Sequence, residues 1–575
     1  MTTYLIPDWN KCDKAFQTFA MKHGDEPARA STTKEMNGIV DAGVLSKPLV
    51  LPDNEVGLST MILVREKPNG DLKSRLVAKG CSQTHGINFD NDALYAPVAN
   101  RISTRILFSI GACLRCHIHT LDVNLAFLYG ILDEDVYVYP PPGFTFGTDS
   151  HGKRLVCKLL KSLYGLKQAP VVWRGVIHSF IMSLGFNVTD HDKCIYYRCT
   201  ANIVFFLAIH VDDILVVCND IPTINEFKDA VKARFKIKDQ GPIHGREFLG
   251  IEVDHDQPKG IVHLHCDRYL TTALARLEVS NLHPAPTPIR SIKEFDHQVP
   301  KSSETKHESL TSDKLRQIAG VLNYAVTVCR PDLSVAASVL SSTKWESITS
   351  YDQYVGHRSL RYITGQLKSQ PKLGLRYNRS IFKSDKEALI PLCYADSDYA
   401  GDQVSLRSRS GHVIFLCNSP IYWSSRLQST IALSSTAAEI TSLSDLCREL
   451  VWISSMIKQL GFPHSLIPVY EDNRPAIAII YRKDFSQRVR HMRIRDLWVR
   501  ELCSTDLMRV FYVNTRDNLA DFFTKVIATV HFKKVILILS GYDDKLHVPA
   551  DSCIATDYSS NDDETLNLIT SSDEN

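Results

Sequence analysis

Apolar residues recur along this chain at two spacings, and those spacings predict its elements. Residues 61–64 and 76–77 read as strands around Lys67-Pro-Asn-Gly-Asp71, where Asn-Gly suits a tight hairpin because both residues tolerate positive φ. Residues 101–113 keep helical spacing, and 117–123 read as a strand. Three consecutive prolines within 137–143 impose an extended loop, since proline fixes φ and offers no amide donor. Residues 172–184 form an amphipathic helix. A long apolar run, 203–218, is interrupted by Asp212 and Asp213. It reads as a β-hairpin with the two acids at its tip. Residues 226–235 follow as a helix and 248–253 as one strand.

Residues 281–306 are rich in proline, serine and charge, as in a linker. Helices follow at 315–340 and 351–367. A second domain opens near Leu389, with strands predicted at 390–394, 412–417, 421–424 and 430–433. Ile440, Leu443, Leu446, Leu450, Ile453, Ile457 and Leu460 then hold one helical stripe from Ala437, and Gly461 stops it. Residues 1–45 carry little signal. Beyond Gly541 the chain is acidic and rich in serine and aspartate, which predicts disorder.

Length and composition add limits. The 575 residues leave room for several domains, and 44% hydrophobic with 23% charged content is that of an ordinary globular protein. A net charge of +2 hides an asymmetry. From Gly541 onward there are nine acidic residues and one lysine, leaving 65 basic against 55 acidic residues in 1–540. A basic body suits a polyanion partner. The N-terminus lacks a basic region followed by an apolar core, and no apolar run reaches the ~18 residues of a membrane helix. The expectation is an intracellular protein with no membrane partner. The fifteen cysteines are scattered, as in a reducing compartment. Cys113-Leu-Arg-Cys116-His117 has the spacing of c-type haem attachment. Without an export signal, packing between a helix and a strand accounts for it. No second ligand pair suits zinc, so neither haem nor structural zinc is expected.

The candidate chemistry is acidic. Two charges inside an apolar run are costly unless water or a cation compensates. A solvated Asp-Asp turn accounts for Asp212 and Asp213 taken alone; a metal site is the alternative. Asp122 ends a strand that leads into a helical turn. Nucleotide addition is an in-line displacement at phosphorus, which two divalent ions ~3.5–4 Å apart can promote. Mg²⁺ needs only a few carboxylates because it keeps several waters. Lys73, Arg75 and Lys79 share one strand face, which suits a triphosphate, or equally a solvated edge.

Five segments in order carry a family resemblance: residues 73–80, 121–130, 136–144, Lys161-Ser-Leu-Tyr-Gly-Leu-Lys-Gln-Ala-Pro170 and 210–215. Together they resemble the reverse transcriptase of copia-type LTR retrotransposons, and 161–170 is the most specific. The resemblance implies that Asp122, Asp212 and Asp213 are metal ligands and that Lys73 and Arg75 hold the incoming dNTP. It implies that Phe127 is an aromatic gate against the 2′-hydroxyl. Gly165 would admit the template–nucleotide pair, and 248–253 would grip the primer end. His210 stands where the family commonly has tyrosine.

Four carboxylates follow in the C-terminal part: Asp396, Glu439, Asp472 and Asp521, at intervals of 43, 33 and 49 residues. They fall at a strand end, the start of the long helix, another strand end and the start of the final helix, which resembles the ribonuclease H of the same family. Local alternatives exist. Thr436-Ala-Ala-Glu439 has the form of a capping box, Asp521 could serve a helix N-terminus, and Asp398 competes with Asp396. Ala437 replaces an acid common in relatives. Arg488, Arg490 and Arg493 lie in a basic run suited to hybrid phosphates or to a solvated helix face.

The implied fold is α+β and α/β: a right-hand polymerase of palm, fingers and thumb, a helical connection and an RNase H-like domain. The boundaries are a lead-in at 1–45, reverse transcriptase at 46–290, linker and connection at 291–388, ribonuclease H at 389–530 and an acidic disordered tail at 531–575. The implied function is RNA-directed DNA polymerase with ribonuclease H, using two Mg²⁺ or Mn²⁺ ions per site. Its partners would be an RNA template, a DNA primer, their hybrid and dNTPs. Family resemblance places it in cytoplasmic virus-like particles or the nucleus. The alternative is a silent or host-adopted remnant that only binds nucleic acid. The sequence sets no oligomeric state.

Overall fold

A computed structural model describes residues 6–543, apart from 13, 67–69, 87, 90–93, 279–281, 291–309, 380–381, 383, 403, 465 and 483–492. The architecture is mixed α/β. Two N-terminal helices, α1 (Lys14–His23) and α2 (Asp25–Asp41), are separated by Gly24 at φ 90°. They pack on the hairpin β1 (Thr60–Glu66) and β2 (Leu72–Ala78). Helix α2 is sewn to β2 by polar contacts: Thr32 and Ser74 hydroxyls meet at 3.2 Å, and Glu35 Oε1 accepts from Leu76 N.

Helix α3 (Arg101–Cys113) starts at Asn100, whose side chain accepts from Ile102 N at 2.9 Å. The chain then enters β3 (His117–Val123). Helix α4 (Ala169–Ser183) precedes β4 (Asn187–Val188), β5 (Ile195–Cys199), β6 (Val204–His210) and β7 (Asp213–Cys218). Helix α5 (Ile221–Arg234) leads to β8 (Ile237–Pro242). These six strands form one antiparallel sheet ordered β8-β3-β7-β6-β5-β4. Alternation along each strand buries both faces. Ile118, Leu215 and Val217 pack toward α3; Leu121, Ile214 and Val216 pack toward α4 and α5.

The expected single strand at 248–253 is instead a hairpin of β9 (Arg246–Phe248) and β10 (Ile251–Asp256). Leu249 and Gly250 both take positive φ, 54° and 77°, and reverse the chain. A Cβ on Gly250 would overlap the Tyr324 hydroxyl. Strand β11 (Ile261–His265) and helix α6 (Asp267–Arg276) follow. Of the expected linker, Ala285 and Ile289 are buried, and Arg358 and Ser359 bind Thr287 and Pro288; 291–306 lie outside the described residues. The expected helix at 315–340 is two helices, α7 (Ser312–Val328) and α8 (Ser334–Ser341). Pro331 cannot donate an amide and holds Arg330 outside the helical region, at ψ 71°. Helix α9 (Ser350–Ser369) leads to β12 (Leu375–Asn378), which returns to pair with β11.

The C-terminal sheet comprises β13 (Leu392–Asp398), β14 (Arg409–Leu416), β15 (Ser419–Leu427), β16 (Ile467–Glu471) and β17 (Met508–Tyr512). Its order is β15-β14-β13-β16-β17, with the first three antiparallel and the last two parallel to β13. Helix α10 (Ser435–Gln459) covers it. Helices α11 (Arg474–Tyr481) and α12 (Arg493–Ser504) precede β17. The expected strand at 430–433 is a loop. Strand β15 is already the sheet edge, and Ile431 and Leu433 are exposed. After the four-residue α13 (Asp521–Thr524) comes α14 (Thr529–Leu539), which buries Phe532, Val535 and Leu539. Packed structure therefore crosses the expected tail boundary at 531; residues 544–575 lie outside the described ones.

One apolar core runs from Ala99 to Leu539 and joins both large sheets. Arg105 on α3 is buried at its centre. It donates to Ile421 O at 2.8 Å, Thr327 O at 2.8 Å and Val328 O at 3.1 Å, and stacks over Trp423. Among the described residues, no helix is long and apolar enough to cross a membrane.

Candidate active sites

The N-terminal centre sits where β3 and β7 end side by side. Register places Asp122 directly opposite Asp213, and Asp213 opposite His210. Val211 and Asp212 form the two-residue turn. Val211 takes φ 57°, which a β-branched residue rarely adopts. Its carbonyl is held by Trp173 Nε1 at 2.7 Å, and Val123 N donates to Asp212 O at 2.8 Å. These two bonds fix a strained tip against α4 and β3. The three carboxylates are half-buried. Burial, then the charges of Asp212 and Asp122, pushes Asp213 up to about 6. Burial and Asp212 raise Asp122 as well, against Lys73, Lys238 and Arg75. Lys238 is the register partner of Asp122 on β8, and the sequence reading passed over it. Like charges facing across a ladder repel, and an all-oxygen donor set suits a hard divalent cation.

Lys73 and Arg75 share the face of β2 that influences Asp122. The Arg75 guanidinium lies 4.4 Å from the Tyr164 ring centre, and Phe127 meets that ring edge-on at 5.2 Å. Gly165, at φ 90°, lies against β2: a Cβ would overlap Ala78 O. Ala78 N donates to Tyr164 O at 2.8 Å. In this structure Gly165 thus lets 161–170 close onto β2. The same segment is a latch at both ends. Lys161 Nζ donates to Ala42 O, Lys167 N to Gln83 Oε1, and Gln83 Nε2 to Gln168 Oε1. Burial depresses the pKa of His210, and its Nδ1 has no hydrogen-bond partner.

The C-terminal centre is deeper. Asp396 lies within β13, Glu439 in the second turn of α10, and Asp472 directly after β16. One carboxylate oxygen from each comes within 4.8 Å of the other two. Among the described residues this is the one acidic trio so closed; Asp122, Asp212 and Asp213 do not reach that spacing. Glu439 does not cap its helix. The N-cap is Ser434, whose hydroxyl accepts from Ala437 N at 3.1 Å, so the capping-box reading of Thr436 fails. Ala437 stands at the third helical position, where an acid would complete that cap. Burial, then Asp396 and Asp472, pushes Glu439 up to about 9, and its Oε2 has no hydrogen-bond partner. Ser442 Oγ donates to Asp396 O and ties α10 to β13.

Asp521 opens α13 rather than the final helix. That helix docks where Gly411 of β14 leaves room: a Cβ there would press on Thr524 and Ala520 O. Burial and Asp396 push Asp521 up to about 7, opposed by Lys525. Lys525 Nζ lies 2.8 Å from Asp521 Oδ1 and 3.8 Å from Asp396 Oδ2. Thr524 Oγ1 donates to that same Asp396 oxygen. Glu471, fully buried beside Asp472, has its carboxyl held well above the usual range by burial and then by Glu439. Glu471 and Lys525 were both missed. Glu471 was overshadowed by its neighbour, while the i, i+4 spacing of Asp521 and Lys525 was a readable signal. Asp398 lies outside the closed trio. In the basic run, Arg488 and Arg490 lie outside the described residues and Arg493 begins α12. Arg495 is bound to Thr441 O and Asp445 of α10.

Comparison with known proteins matches residues 51–291 to the family model of reverse transcriptase (RNA-dependent DNA polymerase). The Retrovirus-related Pol polyprotein from transposon TNT 1-94 of Nicotiana tabacum is 30% identical over 513 residues, 87% of this chain and 37% of that protein. The Pol polyprotein from transposon RE1 of Arabidopsis thaliana is 34% identical over 483 residues, 83% of this chain and 31% of that protein. A putative transposon Ty5-1 protein of Saccharomyces cerevisiae is 27% identical over 331 residues, 57% of this chain and all of its own length. The chain spans about a third of the length of the plant Pol polyproteins it matches. With the hairpin acids inside the matched region and the likeness running through the C-terminal part, this chain belongs to the reverse transcriptase-bearing Pol polyproteins of copia-type retrotransposons.

Proposed function

We propose that the chain copies RNA into DNA at the N-terminal centre and cleaves the RNA of the resulting hybrid at the C-terminal centre. The observation that carries the first half is the pairing of Asp122 with Asp213 beside the Asp212 turn, inside the region matching the reverse transcriptase family. The second half rests on the closed trio Asp396, Glu439 and Asp472, with Asp521 beside it. The β15-β14-β13-β16-β17 order, with acids on β13, after β16 and on the covering helix, supports an RNase H-like layout. In the first half, the β3–β7 sheet is the palm, 60–78 belongs to the fingers, and the β9–β10 hairpin stands where the primer end would lie.

Both acid sets fit Mg²⁺ or Mn²⁺, because each offers only carboxylate oxygens whose mutual repulsion a divalent cation relieves. Asp122, Asp212 and Asp213 would hold it in the palm; Asp396, Glu439, Asp472 and Asp521 in the C-terminal part. When bound, the ions activate the attacking oxygen and stabilise the leaving one. The chain's own residues do the rest. Lys73 and Arg75 bind the triphosphate oxygens, with Arg75 held flat by Tyr164. Phe127, braced by that ring, bounds the sugar pocket. Glu439, buried on the covering helix α10, would hold the metal from that side.

Purified chain should extend oligo(dT) on poly(rA) with either metal, and Asp212→Asn with Asp213→Asn should abolish extension while hybrid cleavage persists. Asp472→Asn should do the reverse. A wild-type protein inactive with both metals would favour the remnant that only binds nucleic acid.

A further inference from the structure

We propose that Lys525 is a resident counter-cation of the C-terminal acidic cluster, competing with a divalent ion for Asp396 and Asp521 and moving to Asp398 when that ion binds. The inference rests on reading the cluster as a metal site. Three observations carry it. First, the ammonium is already among the ligands: Nζ is 2.8 Å from Asp521 Oδ1 and 3.8 Å from Asp396 Oδ2. The i, i+4 offset from Asp521 aims it there. Thr524 Oγ1 donates to the same Asp396 oxygen, so that oxygen has a hydrogen-bond donor and a nearby ammonium before any metal arrives. Second, Lys525 pairs closely with only two of the four acids. Glu439 Oε2 is buried and without a hydrogen-bond partner, and the lysine reaches it only as a more distant charge. Third, an exit exists. The Lys525 side chain is 37% exposed. Asp398, two residues along β13 from Asp396, is desolvated, and Lys525 is the largest favourable charge acting on it.

Lys525 itself exchanges one ion pair for another and keeps its proton throughout. Without metal, Lys525 offsets part of the repulsion among Asp396, Asp521 and their neighbours. With metal, the divalent ion and the ammonium repel each other across Asp396 Oδ2, so the flexible ammonium yields and Asp398 receives it. The lysine therefore keeps an empty cluster folded and sets how readily the metal enters.

The test is Mn²⁺ titration of the full chain, read by loss of the free-ion EPR signal, with thermal unfolding in chelator alongside. Asp212→Asn and Asp213→Asn are carried throughout to remove the palm site from the count. Lys525→Met should tighten the remaining Mn²⁺ binding about tenfold, as expected for removing one nearby like charge. It should lower the melting temperature in chelator, with Mn²⁺ restoring it. Lys525→Arg should keep the wild-type affinity range. Asp398→Asn should weaken Mn²⁺ binding severalfold, and that effect should vanish when Lys525→Met is also present. Unchanged or weaker Mn²⁺ binding in Lys525→Met, or an Asp398→Asn effect that survives it, overturns the proposal. Glu439→Gln separates the two layers: if it leaves Mn²⁺ binding intact, the metal-site reading itself fails. Should Lys525→Met not fold even with Mn²⁺, the Asp398→Asn titration alone decides, and no weakening overturns the proposal.

Discussion

At the N-terminal centre the acids are half-buried, stand on two strand ends and a strained turn, and have Lys73, Arg75 and Lys238 as surrounding charges. At the C-terminal centre Asp396, Glu439 and Asp521 are buried and Asp472 is half-buried; they come from a strand, a strand end and two helices, with Lys525 beside them. The first is loose enough that its three carboxylates do not close on one point; the second is already closed. Under the proposed function, a triphosphate would bring its own oxygens to metals at the N-terminal centre, so protein ligands alone need not complete it. The C-terminal cluster is assembled by packing before any substrate arrives.

Ablation sharpens this contrast most. Glu439→Gln should reduce hybrid cleavage by about a thousandfold or more, ~4 kcal/mol of barrier, with primer extension retained. Because its pKa is near 9, Glu439 carries a proton at neutral pH without metal, so glutamine should cost little stability. Asp122→Asn should remove extension and spare cleavage. A variant at either centre that stops both reactions would break the two-site picture.

The shared core predicts the next largest effect. Arg105 belongs to neither centre but donates to carbonyls of α7 and β15. Arg105→Met should leave three buried carbonyl oxygens short of donors and cost about 3 kcal/mol or more. Chemical denaturation should show both activities lost in one transition. Two separated transitions would show that the centres stand on independent cores.

A pH series in chelator should be smaller and should separate the centres by depth. Glu439, Asp521 and Asp213 all have raised values, about 9, 7 and 6. Each folded-state value exceeds the unfolded one, so the folded chain binds more protons between them, and stability falls as pH rises. Below neutrality the buried histidines His119, His255, His263 and His412, all depressed by burial, act in the opposite sense, so the acids show alone only above pH 7. The metal-free protein should thus be more stable near pH 7 than near pH 8.5, by roughly 2 kcal/mol. Most of that loss should come from Glu439. Mn²⁺ should flatten the profile. A metal-free profile that rises between pH 7 and pH 8.5 would contradict the burial argument.

Much of this was legible in local pattern. The hairpin of Asp212 and Asp213, strand 117–123 and helix 101–113 follow from periodicity that tertiary packing then reinforced. The four C-terminal acids were legible only by their order, since none has a local signal that outweighs a cap or a turn. Sequence spacing could not distinguish Glu439 inside the helix from Glu439 capping it; Ser434, two residues earlier than Thr436, took the cap. The hairpin at 246–256 was missed because Leu249 accepts positive φ without the Asn-Gly sequence that usually announces such a turn. Pro331 was a readable break, overridden in the reading by apolar spacing on both sides. Lys525 and Glu471 depend on which faces meet in space, which no single-strand pattern reports.

The smallest predicted effect probes how the palm acids are aimed. Val211 pays for its φ of 57° with roughly 1–3 kcal/mol of backbone strain. Glycine removes that cost, so Val211→Gly should raise stability by about 1 kcal/mol, less whatever is lost because Val211 packs partly against the α4 core. Extension should nevertheless slow several-fold, since Asp212 would sample more conformations, while hybrid cleavage stays unchanged. Trp173→Phe should slow extension in the same way by releasing Val211 O. If Val211→Gly were less stable than wild type, strain would not be what the Trp173 bond holds in place. If extension were unaffected, the turn would matter only for folding, and aim at this centre would come from β3 and β7 alone. The buried cluster offers no equivalent variant, because its acids are placed by side-chain packing rather than by one strained residue.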